Sequence, residues 1–143
     1  MLTIELLEWP KAQKEAQRIR FTVFVDEQKV PPELEMDEHD ATSVHALAFW
    51  GNASSGKAVG TGRLLPDGHI GRMAVLKEWR GRGVGQAMLR ALIDAGRQRG
   101  DPDLVLNSQV HALAFYAAEG FKAEGPVYEE AGIPHQVMRL KLR

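Results

Sequence analysis

The stretch EWRGRGVGQAML, residues 78–89, places three glycines and two arginines in the six positions 80–85. Gly81, Gly83 and Gly85 remove the Cβ from alternate positions, so a ligand can lie directly against the peptide backbone there. From Gly85 the residues Met88, Leu89, Leu92, Ile93 and Gly96 recur at helical spacing, while Gln86, Arg90, Asp94 and Arg97 take the other face. The glycines therefore stand at a helix N-terminus. Such a start presents unpaired N–H donors and partial positive charge, and Arg80 and Arg82 add full charges, so the guest it fits is an anion, above all a phosphate.

Two better-known phosphate loops fail against the letters. No Gly-Lys-Ser or Gly-Lys-Thr occurs in the chain, which excludes the nucleotide-hydrolase loop. The dinucleotide fingerprint GxGxxG fails because Gln86 and Met88 stand where a small residue is needed. What remains is RxxGxG. A glycine-rich basic turn is also a common surface connection. Here it follows the β-like run HIGRMAV, residues 69–75, and precedes the most periodic helical segment of the chain, the strand–loop–helix setting that anion loops require.

At 143 residues and 44% hydrophobic content the chain is read as one domain with room for a substantial core, and no stretch approaches a membrane span. A formal net charge of -1 argues against a general nucleic-acid binder. The absence of cysteine excludes thiolate nucleophiles, disulfides and thiolate metal sites, and no metal is expected. The opening MLTIELLEWP carries glutamates instead of a basic region and an apolar core, so a cytoplasmic location is the expectation.

The order of elements follows from period and punctuation. LTIELLEW reads as a strand and residues 10–24 as a helix with an apolar stripe through Ala12, Ala16, Ile19 and Val23. Residues 26–43, with paired prolines and many carboxylates, read as a loop, and VHALAFW, residues 44–50, as a strand. Residues 58–75 form two antiparallel strands joined at Pro66-Asp67-Gly68. LVLNSQV, residues 104–110, is a buried strand, and residues 111–119 a short helix closed by Gly120, with Phe121 as the apolar residue after a glycine cap. QVMRLKL alternates Val137, Arg139 and Lys141 against Met138, Leu140 and Leu142, as a half-exposed strand does. The layout is α/β with a mixed sheet.

The runs IGRMAVLKEWRGRGVGQAML, residues 70–89, and LNSQVHALAFYAAEGF, residues 106–121, resemble the cofactor core of the GNAT superfamily of acyl-CoA-dependent N-acyltransferases. RFTVFVDEQKV near the start and EEAGIPHQVMRL near the end resemble its small single-domain ElaA-like branch. The resemblance implies a mixed, mostly antiparallel central sheet flanked by helices, acetyl-CoA as co-substrate, and transfer to an amine. By position it assigns the backbone of Met73, Ala74 and Val75 to the pantetheine arm and Arg80, Gly81, Arg82, Gly83, Val84 and Gly85 to the pyrophosphate. It assigns Tyr116 to protonation of the leaving thiolate. Where the family commonly has Asn, seven residues before that tyrosine, this chain has Gln109. Apart from the resemblance, Tyr116 reads first as a core aromatic on a short helix.

An aminium cannot attack a thioester, and a lysine-like amine of pKa about 10.4 is neutral in less than about one part in a thousand at pH 7. A base is needed. Candidates are Glu27, Glu33, Glu35, Asp37 and Asp40 in or beside the acidic segment, and His135 after a Gly-Ile-Pro turn; each carboxylate also reads as a solvated loop charge. An acidic cleft would favour a cationic amine. Arg20, Phe24 and Glu35-x-Asp37-x-x-Asp40 resemble a second family of the same general fold, the acyl-homoserine lactone synthases, and a non-catalytic acyl-CoA-binding domain is a third possibility. The expectation is direct acetyl transfer from acetyl-CoA to a primary amine of a small acceptor, with no acyl-enzyme, no nucleic acid and no membrane involved, in a chain for which a homodimer is unsurprising.

Overall fold

In the computed structural model, residues 1–35, 37–51 and 56–143 are described, without the side chains of Leu34 and Glu35. Seven strands form one sheet in the order β1-β2-β3-β4-β5-β7-β6. They are β1 Leu2–Leu7, β2 Val44–Trp50, β3 Ala58–Leu64, β4 His69–Val75, β5 Asp103–Gln109, β6 Lys122–Glu130 and β7 Ile133–Lys141. Every neighbouring pair is antiparallel except β4 and β5.

Period-two alternation divides the apolar residues between two cores. On one face Ala12, Ala16 and Ile19 of α1 (Trp9–Arg20), with Val23 and Phe24, pack on Leu47, Phe49 and Ala74. On the other, Val84, Met88, Leu89, Leu92 and Ile93 of α3 (Val84–Arg99) pack on Ala46, Ala48, Ile70, Leu104, Leu106 and Met138. β3, covered on both faces, is buried along its whole length.

The sheet is irregular where β4 passes the centre. Thr61 faces Ala74 and Arg63 faces Gly71, so a two-residue step on β3 meets a three-residue step on β4, and β4 carries the extra residue. Arg72 in that bulge has φ 51°, a left-handed conformation that costs a non-glycine residue about 1–2 kcal/mol. β4 then pairs with β5 only through His69↔Val105 and Ile70↔Leu106 before the two diverge.

The helix expected over residues 10–24 runs further. After α1 the chain continues as a widened π-type helix over Phe21–Glu27. Residues 26–43 are not simply a loop either. Pro32, whose ring presets a helical φ, opens the short α2 (Pro32–Glu35), and the Asp37 carboxylate accepts the His39 N–H at 3.0 Å to cap a 3-10 turn over Glu38–Thr42. The short C-terminal helix is α4 (Leu113–Ala117), preceded by a 3-10 turn, and the Phe121 N–H closes on the Tyr116 carbonyl past left-handed Gly120.

The acidic segment is fastened by charge. Arg20 and Asp40, 1% and 2% exposed, form a bidentate pair at 2.8 and 3.0 Å, and Arg63 Nη1 also donates to Asp40 at 2.9 Å. The Asp40 carbonyl accepts from His45 Nε2 at 2.8 Å, and Trp9 lies under Arg20 at 5.5 Å. Removing one member strands a buried charge. Asp40→Asn is expected to lower unfolding stability by about 3–5 kcal/mol, whereas the paired apolar replacement Arg20→Met with Asp40→Leu loses less; urea denaturation of the three proteins checks the ordering.

Candidate functional site

The divergence of β4 from β5 opens a cleft of about 1240 Å³ through the sheet. Its two mouths differ because strand residues alternate faces. Leu104 and Leu106 point to the α3 core, so Gln109 points to the opposite face, and its cross-strand partner His135 shares that face. The glycine segment, at the start of α3, borders the cleft from the α3 side, while Val23, Phe24 and Gln28 border it from the α1 side.

Gly81 and Gly83 have φ 77° and 82°, and Gly83 is the N-cap of α3. A Cβ at either would meet no atom within 4 Å, so the space in front of the helix start is clear for a ligand. Gly85 serves another purpose: its Cβ would come within 3.3 Å of Phe115, so it lets α4 lie against α3. Val84 is buried and lines the cleft.

The two arginines separate. Arg80 borders the cleft, with Nε donating to the Val75 carbonyl and Nη2 to Glu27, each at 2.9 Å. Arg82 lies instead over Trp79 at 4.9 Å and Trp50 at 6.0 Å. Its charge contributes field at the loop, and its guanidinium is held by two rings that pack on each other at 5.3 Å. Met73, Ala74 and Val75 all border the cleft. Leu76 N–H donates to the Val59 carbonyl at 2.9 Å, and the alternation of an antiparallel ladder then turns the Val75 N–H and carbonyl toward the cleft.

Tyr116 borders the cleft from α4 with its ring edge-on to Phe115 and Phe121, and burial pushes its hydroxyl pKa up to about 12. It is a proton donor throughout the neutral range. His135, 7% exposed, donates Nδ1–H to the Ile133 carbonyl at 2.7 Å, which leaves Nε2 as the lone pair in the neutral ring. Glu130 Oε2 lies 3.8 Å from that Nε2, and Tyr128 stacks on the ring. Gln109 donates Nε2–H to Gln28 Oε1 at 2.9 Å and accepts from His111 Nε2 at 2.5 Å. Gln28 and His111 carry no signal in the sequence, since each acts through a residue distant in the chain or in a turn that only the fold defines.

Asp37 is engaged elsewhere. Arg63 grips its carboxylate at 2.7 and 2.9 Å, and Arg72 stands at 3.5 Å. Partial burial works to raise its pKa, but the Arg63 bonds and charge, the His39 N–H and Arg72 outweigh it and hold it at about 2. A carboxylate so held accepts no proton at neutral pH. The side chain of Glu35 lies outside the described residues. Arg20 and Asp40, which the lactone-synthase comparison needs before a second substrate, are locked together in the interior; Phe24 does border the cleft. No group of three or more potential metal ligands occurs among the described residues, and no helix there is long and apolar enough to cross a membrane.

Residues 11–142 match the model of the family described as "Acetyltransferase (GNAT) domain". The Bacillus subtilis protein named uncharacterized N-acetyltransferase YjcF is 38% identical over 87% of this chain and 89% of its own length. Among solved structures, an acyl-CoA N-acyltransferase from Pseudomonas aeruginosa has 33% identity and a TM-score of 0.83, over 98% of this chain and 99% of that one. Escherichia coli ElaA has 28% identity and a TM-score of 0.85, over 99% and 100%. The acyl-homoserine lactone synthase BjaI matches at a TM-score of 0.79, over 100% of this chain and 84% of that one, with 16% identity, a likeness of fold alone.

The clear space before Gly83 defines a test. Gly83→Val, which puts a branched side chain there at a positive φ, is expected to weaken coenzyme A binding by about 1.5–3 kcal/mol, tenfold or more in Kd. Isothermal titration on protein shown folded by circular dichroism measures it, and unchanged affinity removes the loop from the phosphate site.

Proposed function

Since the chain belongs to the GNAT acetyltransferase family, we propose that it transfers an acetyl group from acetyl-CoA directly to a primary amine of a small acceptor. The observation that carries the reading is the passage through the sheet, with a bare, glycine-lined helix start on one side and, on the other, the His135 ring held at Nδ1 by the Ile133 carbonyl.

In this reading the N–H groups at Gly81, Gly83, Val84 and Gly85 hold the pyrophosphate, with Arg80 at the rim and Arg82 adding charge from behind the loop. The backbone of Met73, Ala74 and Val75 lines the pantetheine as a neighbouring strand would. His135 Nε2 removes the aminium proton, and Glu130 steadies the imidazolium that forms. The amine nitrogen then bonds to the thioester carbon while the Val75 N–H stabilises the oxygen. Tyr116 gives its proton to the departing sulfur as the carbon–sulfur bond breaks, its raised pKa keeping that proton available; the adduct nitrogen sheds its remaining extra proton to solvent, from which the Tyr116 oxygen is reprotonated. Asp37 serves to position Arg63 and Arg72, not as the base. Glu35 stays in the proposal as an acceptor-side carboxylate on sequence grounds alone.

Thiol release from acetyl-CoA across a panel of amines tests the reaction: release in proportion to acceptor supports transfer, and binding without release sinks it. Two variants test the roles. Tyr116→Phe is expected to lower kcat about ten- to a thousand-fold with acetyl-CoA affinity little changed. Wild-type rates should show no loss on the basic side below pH 10, because the Tyr116 hydroxyl deprotonates only near its raised pKa of about 12. His135→Ala should make kcat/KM climb with pH in step with the free-amine fraction, since the variant must wait for amine already deprotonated; a profile parallel to wild type would return His135 to a packing role.

A further inference from the structure

Two consecutive residues at the end of the π-type segment hold opposite arms of the cleft. Glu27 pairs with Arg80 at 2.9 Å, and Arg80 in turn is bonded to the Val75 carbonyl at the end of β4. Gln28 exchanges hydrogen bonds with Gln109 at the end of β5, Gln109 Nε2–H to Gln28 Oε1 at 2.9 Å and a longer return contact of 3.5 Å. The backbone beneath them is fixed. Gln28 N–H bonds to the Val23 carbonyl, left-handed Lys29 at φ 61° bonds to Val25, and Val30 N–H turns back to Phe24 at 2.8 Å. The segment is therefore a strap across the mouth of the cleft on the α1 face.

Its height is set by the strands. Gln109 lies three residues past Leu106, the last residue of β5 paired with β4, and Ala74, with the bulge residue discounted, lies three register positions past Ile70. The amide pair thus crosses where the strands have parted, level with the backbone read above as the pantetheine wall. A thioester reached from the α3 side points its acyl group at this bridge. Gln109 is also pinned from its other side, because its Oε1 accepts from His111, so it cannot swing away without breaking two contacts.

We propose that Gln28 and Gln109 together limit the length of the acyl group. The strap leaves room for a short acyl chain beneath it, and a longer one must break the amide bridge. The proposal rests on the acyl-CoA reading of the cleft. It gives Gln109 a role at the acceptor mouth in place of contact with the cofactor.

The experiment is a binding comparison that needs no acceptor. Coenzyme A, acetyl-CoA and hexanoyl-CoA are titrated calorimetrically into wild type, Gln28→Ala, Gln109→Ala and the double variant. For each protein the ratio of the hexanoyl-CoA Kd to the acetyl-CoA Kd is the readout, which a general loss of stability or cofactor affinity does not move. The ratio is expected to fall about tenfold in each single variant, and by no more in the double, because each change opens the same bridge. Equal ratios in all four proteins, or additive falls in the double variant, overturn the strap. Failure of wild type to bind coenzyme A at all overturns the acyl-CoA reading instead and takes this inference with it.

Discussion

After Ile70 and Leu106, β4 and β5 stop sharing hydrogen bonds, and the rest of the molecule is arranged around that broken ladder. Parallel neighbours in the middle of a sheet would ordinarily stay paired, since each unmatched backbone group loses a hydrogen bond. Here the bulge at Arg72 turns β4 away, and the freed groups of Val75 find partial compensation: the carbonyl takes the Arg80 Nε. The N–H has no such obligation to the ladder. A backbone donor aimed into a cleft, on a strand laddered to the fully buried β3, is a group a ligand can use without reorganisation.

The strain at Arg72 is sustained by charge. Asp37 binds Arg63 on β3 and stands beside Arg72 on β4, and Asp40 joins Arg63 to Arg20 on the helix covering that face. The bulge, the central strand and α1 are thereby tied by one network, in which most contacts are bidentate or shared. Such a network is a poor source of net stability against an apolar alternative, but it fixes geometry, because each guanidinium has one planar fork to fill. Its purpose fits the place: the network sits behind the β4 arm, where a small shift would alter the width of the cleft.

Legibility in the sequence followed locality. The loop at residues 80–85 was readable because glycines at positive φ, a helix start and charge all lie within one turn of each other. The sheet strands were readable from alternation and the turn at Pro66-Asp67-Gly68. Other features depend on partners far apart in the chain: Arg80 with Glu27 across 53 residues, Gln28 with Gln109 across 81. The acidic segment misled for the same reason. Its carboxylates looked like solvated charges or acceptor contacts, and Asp37 and Asp40 instead found arginines 26 and 20 residues away. The letters place Arg82 beside the phosphate by its charge; its seat over Trp79 and over Trp50 of β2 depends on the fold.

The two-sided cleft also bears on the order of chemistry. An enzyme that stores the acyl group on itself needs a nucleophile, and the chain has no cysteine to provide the most ready one. In the proposed reaction a cleft bordered from both faces of the sheet removes the need for storage: acetyl-CoA would lie past the glycine start of α3 and the amine beside Gln109 and His135, both present together. Bringing them together through opposite mouths turns a bimolecular step into an effectively unimolecular one. It would also separate the proton steps, because the proposed base, His135, lies on the α1 face and the proposed acid, Tyr116, packs on the α3 core. A base and an acid so separated would act without neutralising each other, which is what direct transfer asks of a single cleft.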